Sequence, residues 1–116
     1  MRRFCLSGLV LAVLVAVALA AAAPAGAEAP PPTIKCDSSK TVVHWDSAYL
    51  AKHYGTEDVT SVEVVWTVIF GLKFPESTSS FDGHNARFDT AITATRAFAK
   101  LTLLNGKSVD AGPVLC

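Results

Sequence analysis

A mainly β fold is predicted for this chain: a small antiparallel β-sandwich, or a compact β-barrel, carrying one short helix. Three observations lead there. From position 62 to 74 every even residue (Val62, Val64, Trp66, Val68, Phe70, Leu72, Phe74) is apolar and the odd ones are mixed, and a sustained period of two places one set of side chains on one face of a strand. Asn105-Gly106 and Asp82-Gly83 lie between short runs of strand-like composition, where glycine admits the positive φ of a hairpin turn. Residues 48–54 sit between a capping residue, Asp46 or Ser47, and a glycine stop, Gly55, the punctuation of a short helix.

The 116 residues begin with Arg2-Arg3, an apolar run over 4–23, Pro24 and the small residues Ala25-Gly26-Ala27. Basic start, apolar middle and small-x-small end make a secretory signal peptide over 1–27, cleaved after Ala27; a retained membrane anchor is the alternative, because the apolar run approaches bilayer-spanning length. Residues 28–33 contain Pro30-Pro31-Pro32, an extended lead-in that cannot join a sheet interior. Residues 34–116 then form one β-rich domain, small enough that its core has limited apolar surface to bury.

Within that domain Ile34-Lys35-Cys36 starts the first strand and 37–40 is a turn by its Asp and Ser content. Residues 41–45 make a short strand, followed by the helix over 48–54, with Leu50, His53 and Tyr54 spaced to share one face. At that length the helix depends on tertiary packing. The strand at 62–74 comes next, and its seven apolar side chains require a second layer to cover them. Residues 75–80, Pro-Glu-Ser-Thr-Ser-Ser, read as a loop. The stretch 89–104 carries two patterns. Ala94, Ala97, Phe98, Leu101 and Leu104 fit a helix capped by Asp89, which would make the fold α+β. Ala97, Ala99, Leu101 and Leu103 alternate as a strand from about Arg96, and the threonines at 90, 93, 95 and 102 favour the strand. Gly112-Pro113 then breaks the last pairing.

Without the leader, two cysteines remain, Cys36 and Cys116. In an exported chain an even pair is most simply a disulfide, here enclosing nearly the whole domain; two free thiols are the alternative, although nothing basic flanks Cys116 to activate it. Loss of Arg2 and Arg3 also leaves two more acidic than basic residues. There is no basic patch for nucleic acid and no Lys/Arg cluster for anionic lipid.

Chemistry-bearing residues are sparse. His44 and Asp46 would share a strand face and, with His53 or His84, offer imidazole and carboxylate to zinc or copper, but the spacing matches no ligand motif and no metal or cofactor is expected. Ser77, Ser79 or Ser80 with His84 and Asp89 lacks the Gly-x-Ser-x-Gly elbow of a serine hydrolase, and Glu57-Asp58 reads as a solvated connection. The strand count and lengths resemble an immunoglobulin-like sandwich in outline, except that the cysteines bracket the domain rather than crossing its centre with a tryptophan between them. The expectation is a secreted, non-enzymatic binding or interaction domain for a secreted protein partner or a surface polysaccharide. Inhibition of an extracellular hydrolase, or carbohydrate and wall binding, are the alternatives, with a small hydrolase behind them. Trp45, Tyr49 and Tyr54 are the candidate ligand-binding rings, because amphipathic aromatics suit such contacts. Pro75, Glu76, Phe81 and Asp82 are the candidate interaction loop, and Val65 with Ile69 on the odd face of the long strand is a second candidate surface.

Overall fold

The computed structural model describes residues 28–116, so the leader over 1–27 and its cleavage point lie outside the described residues. Among the described residues seven strands and one α-helix follow one another: β1 (Thr33–Cys36), β2 (Lys40–His44), α1 (Ser47–Tyr54), β3 (Val59–Thr67), β4 (Lys73–Thr78), β5 (Asn85–Asp89), β6 (Arg96–Leu103) and β7 (Ser108–Leu115), with a 3-10 turn at Ile69–Gly71. They form two antiparallel sheets, β1-β2-β5 and β4-β3-β6-β7, packed face to face as a sandwich. In the constant-type immunoglobulin arrangement the fourth strand joins the first sheet; here β4 pairs with β3 in the second.

Alternation decides which side chains meet between the sheets. Val62, Val64 and Trp66 of β3 lie beside Ala97, Ala99, Leu101 and Leu103 of β6 and Val109 and Ala111 of β7 on the inner face of the four-stranded sheet, all buried; Ile34, Val43, Ala86 and Phe88 come from the other sheet. β6 is therefore the strand that its alternation predicts, and the helical reading of 89–104 is set aside. Asn105-Gly106 turns the chain into β7, with the Leu103 N–H donating to the Lys107 carbonyl at 2.8 Å.

The helix closes one end of the sandwich. The Asp46 carboxylate accepts from the Ala48 N–H at 2.9 Å, and Gly55, at φ 84°, donates its N–H to the Ala51 carbonyl. Leu50 is fully buried and Tyr54 half-buried, whereas His53 is exposed rather than part of the packing face and stacks on Tyr49 with ring centroids 4.4 Å apart. At the opposite end, Asp37 accepts the N–H groups of Lys40 and Ser39, both at 2.8 Å. Those bonds hold its carboxyl below the usual range, so the turn loses this support as the pH falls through the lowered value.

Two ties join the sheets. One is covalent: Cys36 at the end of β1 is bonded to Cys116 just past β7, Cα atoms 4.6 Å apart and 80 positions apart in sequence. β1 runs beside β7, where a Cβ on Gly112 would lie 3.0 Å from Ile34 Cγ2 and 3.1 Å from the Ala97 carbonyl. With φ at 85°, only glycine fits this bulge without strain. Gly112-Pro113 thus interrupts the β6–β7 ladder rather than ending it, because pairing resumes at Ala97 and Val114.

The second tie is polar. The Trp66 indole N–H, fully buried, donates to Thr41 Oγ1 at 3.0 Å, and Thr41 Oγ1 stands 2.9 Å from Thr90 Oγ1 and 3.3 Å from the Cys36 sulfur. A buried N–H needs such a partner. Thr41→Val keeps the shape and removes the acceptor, so it is expected to cost about 1–3 kcal/mol, with Thr41→Ser recovering most of that. Urea unfolding of the three proteins measures the difference, and equal midpoints would discard the polar tie.

Candidate functional site

The long apolar alternation does not continue as one strand. β3 ends at Thr67, and the chain reverses through residues 68–72 into β4. The Gly71 N–H donates to the Val68 carbonyl at 2.9 Å, and the Val68 N–H to the Leu72 carbonyl at 2.8 Å. Val62, Val64 and Trp66 are buried as their alternation predicts, but Phe70, Leu72 and Phe74 are not: they are 92%, 62% and 51% exposed. The reason is geometric. A tight reversal lifts its own tip off the sheet, so apolar residues there have no facing layer.

Phe70 stands out twice. Besides being almost wholly in solvent, it has φ 61° and ψ 19°, a left-handed conformation that is uncommon for a bulky side chain. Such a residue costs on the order of 1–3 kcal/mol, and its ring gains no burial among the described residues to offset that. Thr93, at φ 63°, repeats the conformation on the β5–β6 loop, beside Ile92, which is 87% exposed. The loops share one end of the sandwich, since the Thr95 N–H donates to the Thr67 carbonyl at 2.8 Å.

The hairpin tip is a ridge between two hollows. On one side a space of about 430 Å³ lies between Phe74 and the 89–92 segment. On the other a groove of about 930 Å³ runs onto the outer face of the four-stranded sheet, floored by Val65, Phe98 and Pro113 and walled by Ile69 and Phe70. Val65 and Phe98 are cross-strand partners, and Val65 stays only half-covered and Ile69 exposed. The odd face of β3 is therefore part of this surface.

The other sequence candidates are dispersed. Trp45 is 2% exposed and packs edge-on against Phe81, centroids 5.1 Å apart, so it belongs to the core and not to a surface patch. Tyr49 and Tyr54 are half-buried on α1, centroids 6.3 Å apart, at the end away from the hairpin tip. Pro75 and Glu76 lie in β4 and not in a loop. Successive bonded pairs put Pro75 in a non-bonded one, so its missing N–H falls on the open edge of the sheet, where proline is tolerated and blocks further strand pairing. Asp82 holds Arg87 at 3.3 Å and bridges to Asn85 across the Gly83-His84 turn. That turn does not join sheet partners, because β5 pairs with β2.

Histidine chemistry is equally scattered. The His44 ring lies 3.0 Å from the Asn85 side-chain oxygen. His84 shares a small cleft of about 300 Å³ with Ser47, Glu57 and Asp58, with no side-chain hydrogen bond among these four. Among the described residues no group of three or more His, Cys, Asp or Glu side chains is placed to hold a metal ion, and no helix is long and apolar enough to cross a membrane. No family model, curated protein or solved structure matches this chain.

Proposed function

We propose that this is an exported, non-enzymatic protein-binding domain whose contact surface is the β3–β4 hairpin tip with the adjoining β5–β6 loop. The observation that carries the reading is Phe70: a large aromatic side chain held in an unfavourable backbone conformation and presented to solvent. Selection for stability alone would put glycine or asparagine there. An exposed aromatic between Ile69 and Leu72, at the same end of the sandwich as Ile92, is the composition of an interface centre, and a strained position is where function and stability pull apart. Export is supported by the leader pattern at 1–27 and by the Cys36–Cys116 bond.

A single substitution separates this reading from a purely structural one. Phe70→Gly is expected to raise stability by about 1 kcal/mol through relief of the left-handed conformation, while a partner captured stoichiometrically by the wild-type protein from the producing culture's secreted proteins is lost. Thermal unfolding and paired pull-downs read the two effects. A partner held equally by both proteins would move the contact surface elsewhere.

A further inference from the structure

The groove beneath the tip has a chemistry that narrows the partner, a deduction that rests on the binding role given to the tip. Cross-strand register places Lys73, Thr67 and Arg96 on one rung of the outer face, β4 to β3 to β6, with Thr67 opposite each cation. The Lys73 ammonium donates to Thr67 Oγ1 at 3.1 Å. Arg96 has no ion-pair partner among the described residues. The next rung is Pro75, Val65 and Phe98, wholly apolar. The groove lining thus contains two cations and no carboxylate, while Glu63, Lys100 and Asp110, a mixed cluster, are one rung further along the same face.

We propose that the groove seats an acidic-apolar segment of a protein partner, a carboxylate lying on the Lys73–Thr67–Arg96 rung and a neighbouring aromatic or aliphatic side chain lying over Val65 and Phe98. The guanidinium of Arg96 presents a planar fork that matches a carboxylate, and Thr67 and Lys73 supply further donors. Charge speaks against a second copy of this chain seated groove to groove, since a two-fold axis through the groove would set Lys73 and Arg96 of one molecule against the same pair of the other. A small amphipathic acid would satisfy the groove but leave the outer side of Phe70 and Ile92 uncovered, so an occupant with its own extended surface fits better.

The test uses oxidised protein expressed from the full chain as bait for a displayed library of random linear peptides, with vesicles of phosphatidylcholine and phosphatidylserine as a second probe. Enriched peptides should carry Asp or Glu beside a large apolar residue. A synthetic peptide from that set should bind about tenfold more weakly to Arg96→Gln, more weakly again to Lys73→Gln with Arg96→Gln, and less tightly as salt rises. Arg96→Lys should recover only part of the loss, because an ammonium lacks the fork. Enriched peptides that need Phe70 but contain no acidic residue, or ignore both cation substitutions, overturn the acidic-segment assignment and leave the tip as a binding surface. Peptides indifferent to Phe70→Gly, or no enrichment at all, overturn both. Binding to phosphatidylserine vesicles without peptide selection places the occupant in a membrane and also overturns the assignment.

Discussion

Trp66→Ala is expected to destabilise the domain by about 3–5 kcal/mol, the largest effect of any single side chain here. The ring is fully buried in β3, meets Phe88 edge-on with centroids 6.0 Å apart, and stacks at a tilt against Phe74 at 6.1 Å. Its removal opens a cavity between the sheets and takes the indole N–H away from Thr41 Oγ1. Domains of this kind have only about 5–15 kcal/mol in total, so the variant should unfold at much lower urea than the wild type and tolerate little further damage. Trp66→Phe isolates the polar share. It keeps most of the volume and loses the N–H, and the double variant with Thr41→Val should show a coupling energy of about 0.5–3 kcal/mol. Additive costs in that cycle would mean that packing alone holds Trp66 in place.

Removing the covalent tie ranks next. Cys36→Ser with Cys116→Ser is expected to lower stability by about 2–5 kcal/mol, because a closure spanning 80 positions restricts the unfolded chain far more than the folded one. The effect should be visible as a drop in the urea midpoint and reproduced by reducing the wild-type protein. Cys36 also borders the Thr41 pocket, its sulfur 3.3 Å from Oγ1. The two perturbations therefore share a neighbourhood, and combining reduction with Thr41→Val should cost other than their sum. A reduced protein as stable as the oxidised one would leave the sandwich to its noncovalent contacts.

How much of this was legible in the residues depends on what each segment does. Val62, Val64 and Trp66 could be read as core because a buried strand face must be apolar at every second position, and β6 could be read from the same rule over 97–103. The helix announced itself through Asp46 and Gly55, and the disulfide through the pair of cysteines left when the leader pattern is set aside. β4 was hidden for a physical reason: every side chain from Lys73 to Ser77 is exposed, so an edge strand overhanging the narrower sheet needs no apolar alternation and can consist of Pro, Glu and Ser. The hairpin tip was hidden for the opposite reason. Phe70 and Leu72 continue the alternation in phase, and a turn occupied by Phe70 at positive φ breaks the residue preferences that would mark it. Gly71 was the one available sign. Local rules fail at the position where strain is stored, which is where a binding role leads one to expect failure.

The position of the disulfide also decides how the domain bears tension. A pull applied between Glu28 and Cys116 travels along residues 28–36 and crosses directly through the sulfur–sulfur bond. Everything from Asp37 to Leu115, including β2 and β5, the whole four-stranded sheet and the exposed tip, lies in a closed ring outside that line of force. While the bond is intact, the ladders between β3, β6 and β7 carry no axial load, and the apolar ridge keeps its shape under strain. Once the bond is reduced, the same pull enters at β7, an outer strand of the four-stranded sheet, and can peel it from β6 one hydrogen bond at a time. A single redox event would thus convert a mechanically inert module into an extensible one.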